Sequence, residues 1–242
     1  MIYSADFHLH SCLSPCGDLE MSPGNIARII SRLKIDIAAL TDHNSAENVE
    51  TFDRVCRENS VLPLFGVEAQ PREEIHILCL FSRPEEALEL GHYLYEKMPD
   101  IMNIPEKTGD QVYVDENEEI LGEVDKYLVT SADVSLEELS EKTRSLKGLL
   151  IPAHVDRPAF SMLSQFGCII PGDWDALELV RLPKADNLDT LGYPLITSSD
   201  AHYTEHIGRR AFLLDTGDEV LDMKNGYIDI EVIRRALQRR AR

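Results

Sequence analysis

A chain of 242 residues that is 43% apolar can enclose one sizeable core. Its net charge of -19 at pH 7 repels a phosphate backbone, so no long nucleic acid is expected as a partner. Small anionic ligands stay open where local cations, bound metals among them, offset the field. The five cysteines (Cys12, Cys16, Cys56, Cys79 and Cys168) are scattered, which fits reduced thiols rather than a disulfide framework. No apolar run is long enough to span a membrane. The expectation is a cytoplasmic protein with no membrane partner, its oligomeric state left open.

The first strand runs from Ile2 to Phe7 and leads into Ser4-Ala5-Asp6-Phe7-His8-Leu9-His10-Ser11. Alternate side chains of a strand share a face. Asp6, His8 and His10 are therefore expected on one side, and Phe7 and Leu9 on the other. Ser22, an N-cap followed by Pro23, starts a helix that runs to about Leu33. Asp36 to Leu40 is a short apolar strand, and Ser45 to Glu58 reads as a helix capped by Ser45. Leu62 to Ala69 and Ile75 to Phe81 are strands, and Pro84 to Lys97 is a helix. The rhythm breaks between residues 99 and 130, where two alternating segments flank Asp115-Glu116-Asn117-Glu118-Glu119. This reads as an inserted β-hairpin with a solvated acidic turn. Leu149 to Pro152, Ala176 to Val180, Pro194 to Thr197 and Ala211 to Leu214 complete the strands. Ile228 to Arg239 is a last helix.

Short apolar strands alternating with helices predict a parallel sheet covered by helices. The strand count suggests a closed or nearly closed barrel, with an open doubly wound sheet as the alternative. No glycine-rich phosphate loop is present. One domain over residues 1–242 is expected.

The eight histidines follow this plan. His8 and His10 end the first strand, and His43 follows the second in Leu-Thr-Asp-His-Asn. His76 comes shortly after Glu68, and His154 follows Leu-Leu-Ile-Pro-Ala. His202 follows Asp200 by two residues and precedes His206 by four. Only His92 sits within a helix. In a barrel of parallel strands the C-terminal ends share one mouth, where active sites are built. Imidazoles and carboxylates converging there suit divalent transition metals, and they are too many for one tetrahedral ion.

The order "DFHLHS", "LTDHN", "GVE", "IHIL", "PAHV", "SSDAH" resembles the PHP (polymerase and histidinol phosphatase) family, from Asp6 to about Leu214. The resemblance implies a distorted (β/α)7 barrel. It also implies a site of two or three divalent ions, zinc, manganese or iron, that hydrolyses phosphate esters through a metal-activated water. Carried over motif by motif, His8, His10, His43, Glu68, His76, His154, Asp200 and His202 are expected ligands, with Glu68 bridging. The family's loop ligand aligns with Asp18 in "LSPCGDLEMSP", with Glu20 and Cys16 as rivals. Asp6 and Asp42 are candidates to orient histidines, and Asp42 is equally a turn or cap residue.

A phosphate also needs fixed donors. Arg157 and Arg209 follow metal motifs and suit phosphate oxygens. His206 reads either as a general acid for the leaving group or as part of the rim. The expected activity is a phosphatase acting on a small phosphorylated metabolite or nucleotide. A non-catalytic metal-binding scaffold and an amidohydrolase acting on a C–N bond are the alternatives. The latter usually wants a lysine at a strand end, and none is offered here.

Overall fold

A computed structural model describes residues 1–181, 188–223 and 226–239. Strand β1 (Ile2–Leu9) leads through a loop to α1 (Pro23–Leu33). Ser22 Oγ accepts from the Asn25 amide at the start of α1, and Lys34 in the left-handed region ends it. Then follow β2 (Ile37–Leu40), α2 (Val49–Glu58), β3 (Leu62–Ala69), β4 (Ile77–Phe81) and α3 (Pro84–Lys97). A short α4 (Pro105–Thr108) precedes β5 (Val112–Val114) and β6 (Ile120–Glu123). After these come α5 (Leu136–Ser145), β7 (Leu149–Pro152), α6 (Met162–Phe166), β8 (Leu177–Glu178) and β9 (Leu195–Ile196). A single 3-10 turn (Thr204–His206), β10 (Phe212–Asp215) and α7 (Ile230–Arg239) end the described chain. The second helix begins later than expected from Ser45, because Asn44 takes φ 47° and the chain turns first.

Six strands form one curled sheet in the order β10-β1-β2-β3-β4-β7. Strands β1, β2 and β3 are parallel, as predicted. The rest departs from an all-parallel sheet: β10, β4 and β7 pair antiparallel with their neighbours. The reason for β4 is chain length. Only Gln70 to His76 separates it from β3, which is too short for a parallel crossover. Strands β8 and β9 form a parallel pair beside β7, where Asp175 donates its amide to Leu150 O at 2.8 Å. The segment after β9 returns to β1, with His10 N donating to Ala201 O at 3.0 Å. The sheet thus curls into the expected distorted barrel. Because β7 is antiparallel to β4, it runs in the direction of β1–β3, and the reversal of β4 keeps the mouth intact. The start of β4, the end of β3 and the end of β7 all lie on one side.

Two apolar layers hold this curl. Leu40, Phe65, Ile77 and Leu150 pack outward against the helices, with Ile26, Phe52 and Leu90. Phe7, Ile37, Leu64, Leu78 and Ile151 pack inward with Ile233 and Leu237 of α7. The expected hairpin is present, with β5 pairing antiparallel to β6. Asp115 Oδ1 caps its turn by accepting from the Asn117 and Glu119 amides, both at 2.9 Å. Asn48 ties the hairpin to α2, its Oδ1 accepting from Val114 N at 2.9 Å. No helix among the described residues is long and apolar enough to cross a membrane.

Candidate metal centre

The strand that opens the chain does not alternate evenly. Asp6 pairs with Ala38 and Leu9 with Leu40, so Phe7 and His8 together oppose Ala39. This bulge sends Phe7 into the inner layer, Leu9 into the outer one, and both His8 and His10 into the mouth. Asp6 falls on the other side, away from the face it was expected to share. Its carboxylate accepts from the amides of Ser199 (2.8 Å) and Gly208 (3.2 Å) and so anchors the segment carrying Asp200 and His202.

His8 Nδ1 lies 3.0 Å from Glu178 Oε2, and His10 Nδ1 lies 2.9 Å from Ser14 Oγ. An ionised carboxylate only accepts. The Ser14 hydroxyl donates to Asp42 Oδ1 at 2.7 Å. Both imidazoles therefore carry their proton on Nδ1. Their Nε2 lone pairs face one another across 3.0 Å. Glu68 Oε1 is 3.1 Å and Asp200 Oδ1 3.6 Å from His8 Nε2. Two lone pairs and two carboxylates converging in a buried space call for a cation between them. Without a metal, a proton answers that demand. Burial opposes charge on His8, but Glu178, Glu68 and Asp200 overcome it and hold the imidazole well above its ordinary pKa. Burial, with His202 and His43 nearby, holds His10 well below.

Glu68 sits among five imidazoles and is 1% exposed. Besides His8 and His10, it meets His43 Nδ1 (2.8 Å), His76 Nδ1 (2.9 Å) and His154 Nε2 (3.1 Å). Burial opposes charge on Glu68, but His76, His8, His43 and His154 outweigh it and hold the carboxyl far below the usual range. Gln70 spends its amide group on Ser131 Oγ, so its Oε1 accepts from His76 Nε2 at 3.0 Å. That turns the His76 Nδ1 lone pair onto Glu68, a second place where two acceptors meet. His43 Nδ1 and Glu68 Oε2 face each other without hydrogen-bond geometry, and His154 Nδ1 is buried without a hydrogen-bond partner, as expected of atoms set to hold a cation. Three overlapping donor sets suit a divalent ion: His8, His10 and Asp200; His43, Glu68 and His76; and His10, His43 and His202. The donors are nitrogen and oxygen atoms, the mix that zinc, manganese and iron accept.

The backbone is strained where these ligands leave their strands. His154 takes φ 32°, Asp200 φ 47° and Asn44 φ 47°, conformations that non-glycine residues keep only when the surroundings enforce them. Asn44 is held by donating to Leu128 O and Thr130 O, both at 2.9 Å. His154 is held by its amide, which donates to Glu178 Oε2 at 2.9 Å.

The remaining expected residues spread over the rim. Arg157 donates to Asp200 Oδ2 at 3.2 Å and is 42% exposed. Arg209 is already engaged: its guanidinium donates to Ser199 O (2.8 Å) and Asp200 O (3.2 Å) and braces the Asp200 turn. The His206 ring stands edge-on against Tyr203, 5.5 Å between centroids. Asp18 donates its amide to His202 O at 2.9 Å, but its carboxylate belongs to none of the three donor sets. It is exposed, and its Oδ1 accepts from the Glu20 amide at 2.8 Å. Cys16, in the same loop, is exposed, and His202 and His43 lower its pKa to about 6; its sulfur belongs to none of the three donor sets. Asp42 binds Ser11 (N at 2.7 Å, Oγ at 2.6 Å) and Ser14, and so acts on His10 through Ser14.

Four partners went unread in the sequence: Glu178, Ser14, Gln70 and Phe160. Phe160 stacks on His76 at 5.0 Å between centroids. Glu178 alone had a signal, a lone acid inside the apolar run Ala176-Leu177-Glu178-Leu179-Val180.

The PHP domain model matches residues 6–155, more than half of the chain, and the chain belongs to that family. No curated protein matches it. Among solved structures it is similar to the lesion-specific endonuclease PfuEndoQ from Pyrococcus furiosus, with a TM-score of 0.71 and 18% identity. That match covers 98% of this chain and 56% of the other, so the chain spans little more than half the length of this neighbour. A second neighbour is endonuclease Q in complex with a 27-mer duplex bearing an abasic lesion at its active site (TM-score 0.66, 19% identity, 98% and 57% covered). A third is a putative metal-dependent phosphoesterase from Bifidobacterium adolescentis (TM-score 0.60, 14% identity, 97% and 96% covered). The endonuclease neighbours overturn the expectation that long nucleic acid is excluded as a partner. Net charge averages over a whole surface, whereas binding is decided locally. Arg157, Arg209 and Arg210 gather around Ser198, Ser199 and Asp200 at this rim.

Proposed function

We propose that the chain is a metal-dependent phosphoesterase. The observation that carries the reading is the pair of His8 and His10 Nε2 lone pairs, 3.0 Å apart beside Glu68 and Asp200. Divalent ions bound in such a cluster supply Lewis acidity that brings water toward ionisation at neutral pH and offsets the charge of phosphoryl oxygens. His8, His10, Glu68 and Asp200 would hold one ion. His43, His76 and His154 would share Glu68 around a second, and His202 would serve a third.

The chain's own residues do the rest. Glu178 and the Ser14–Asp42 pair keep the His8 and His10 protons on Nδ1, so that Nε2 faces the centre. Glu68 offers two oxygens to five rings. Arg157, half outside, is the donor placed to take a phosphoryl oxygen. Arg209 keeps Asp200 in its strained turn, and His206 fills the rim.

Beside Arg157 lies a cavity of about 490 Å³, lined by Leu163, Leu179, Val180, Leu188 and Arg181. Its size and mixed lining suit the organic part of a small phosphorylated metabolite or a nucleotide. A second reading, a nucleic-acid phosphodiester, is favoured by the likeness to endonuclease Q.

The test is a hydrolysis panel run with and without added manganese. It holds an aryl phosphate, nucleotides, sugar phosphates, an abasic-site duplex and cyclic amides. Metal-dependent phosphate release from small esters supports the first reading, and cleavage of the duplex alone moves the assignment to the second. Cyclic-amide hydrolysis without phosphate release would make the protein a C–N hydrolase. Bound metal with no turnover on any substrate would leave a scaffold.

A further inference from the structure

The chain that leaves the inserted hairpin is fastened to the ends of two ligand-bearing strands. Gln111, buried, gathers it first: Nε2 donates to Val124 O and Lys126 O, both at 2.8 Å, and Oε1 accepts from Leu128 N at 2.9 Å. Asn44, next to His43, gives its amide group to Leu128 O and Thr130 O, and its Oδ1 accepts from Gln70 N at 2.9 Å. Gln70 O accepts from Ala132 N, and Gln70 Nε2 donates to Ser131 Oγ, both at 2.9 Å. Asn44 and Gln70 are both buried, so these bonds meet no competition from water.

One of these links reaches an atom that faces the metal centre. The His76 ring is held at both nitrogens, Nδ1 2.9 Å from Glu68 Oε1 and Nε2 3.0 Å from Gln70 Oε1, and Phe160 stacks on its face. With the ring fixed, what remains to be decided is which nitrogen carries the proton. A neutral imidazole binds a metal only through its bare nitrogen. With Gln70 Oε1 toward the ring, Nε2 keeps the proton and Nδ1 is bare, turned to the ion that His43, Glu68 and His76 can hold. Were the Gln70 amide turned round, its NH2 would donate to Nε2. The proton would then sit on Nδ1 and block the ligand atom. Ser131 Oγ is the partner that the Gln70 NH2 finds in the metal-ready orientation. Without it, that orientation leaves a buried donor unpaired.

We infer that Ser131 is a positioning residue for the metal centre: by taking the amide group of Gln70 it keeps His76 bare at Nδ1, so the segment after the insertion helps to set a ligand that it never touches. The inference rests on the metal-centre reading above but not on the reaction assigned to it.

The test uses the full chain with isotope-labelled histidine, loaded with a spin-active cadmium isotope. Scalar coupling to cadmium marks the nitrogen that binds, and His76→Gln identifies the signal. The coupling is expected on His76 Nδ1, with the proton on Nε2. Competition against a chromophoric chelator then reads zinc affinity. Ser131→Ala is expected to weaken the ion held by His76 about tenfold, the scale of one net hydrogen bond, with far-ultraviolet circular dichroism unchanged. Ser131→Thr keeps the hydroxyl and is expected to bind as the natural chain does. Gln70→Glu added to Ser131→Ala is expected to restore the affinity, because a carboxylate only accepts and cannot be turned round.

Coupling on His76 Nε2, or none at His76, would overturn the inference. So would natural affinity in Ser131→Ala, or a loss that Gln70→Glu does not restore, which would make Ser131 a packing residue only. A chain that takes up neither cadmium nor zinc overturns it together with the metal centre. The expected coupling and affinities without phosphate release uphold Ser131 and count only against the phosphoesterase. Phosphate release with natural affinity in Ser131→Ala does the reverse.

Discussion

Replacing Glu178 by glutamine removes a charge that no substrate or metal needs to touch. Glu178 Oε2 accepts from His8 Nδ1 at 3.0 Å and from the His154 amide at 2.9 Å. A glutamine carbonyl in that place still accepts from both, so the backbone of His154 stays paired. What is lost is the charge assistance to His8, where such bonds contribute ~1.5–3 kcal/mol. His8 then becomes a poorer base at Nε2, and its proton is less firmly held on Nδ1. The expected loss of metal affinity is about 10–100-fold, or ~1.4–2.7 kcal/mol. The melting temperature of the metal-free chain should change little. Glu178→Ala goes further, stranding two buried donors at ~1–3 kcal/mol each, and lowers stability as well. Competition against a chromophoric chelator reads the affinity, and calorimetry reads the melting temperature. If Glu178→Gln binds metal as tightly as the natural chain, the tautomer argument behind the metal centre is wrong.

Three further outcomes are expected. The metal-free chain should lose stability as pH rises above about 6.5, His8's ordinary pKa. Its folded pKa is raised, so its stabilisation is complete below that value and fades at ~1.4 kcal/mol per pH unit until the folded pKa is passed. The proton kept by His43, raised to about 10, is balanced over this range by the one Cys16 gives up, so His8 and His202, both raised, set the slope; a melting temperature flat from pH 6.5 to 9 would refute this. Arg157→Ala should raise KM for a phosphate ester roughly tenfold, the scale of one charge-assisted bond, with metal content unchanged. Unaltered kinetics would remove Arg157 from the site. Asp6→Ala strands the buried Ser199 amide and the Gly208 amide and should cost ~2–6 kcal/mol in urea unfolding; a loss under ~1 kcal/mol would mean that Asp6 does not anchor the Asp200 turn.

The sequence made the mouth of the barrel legible because ligands recur where strands end, and strand ends are visible as apolar runs that stop. His43, His154 and His202 could be placed in that way without knowing how the strands pair. Strand direction was harder to read. The reversal of β4 depends on loop length, not on the strand residues, and it is what brings His76, at the start of β4, to the mouth that His154 reaches from the end of β7. The bulge at Phe7–His8 was hidden because it is set by pairing with Ala39. For that reason Asp6 looked like a neighbour of His8 in function when it is one only in sequence. Partners such as Ser14 and Gln70 are ordinary residues, and they gain a role only through what lies opposite. The loop acid depends on its surroundings in a related way. Motif spacing points to Asp18, but the turn wound around Gly17 leaves its carboxylate accepting from the Glu20 amide, outside the three donor sets.

The most direct test of the central claim is metal content of the purified, reconstituted chain by plasma mass spectrometry, taken with release of phosphate from an aryl phosphate. The account predicts two or three divalent ions per chain and hydrolysis that disappears on chelation. A chain that takes up no metal, with its facing imidazoles satisfied by protons alone, would contradict it.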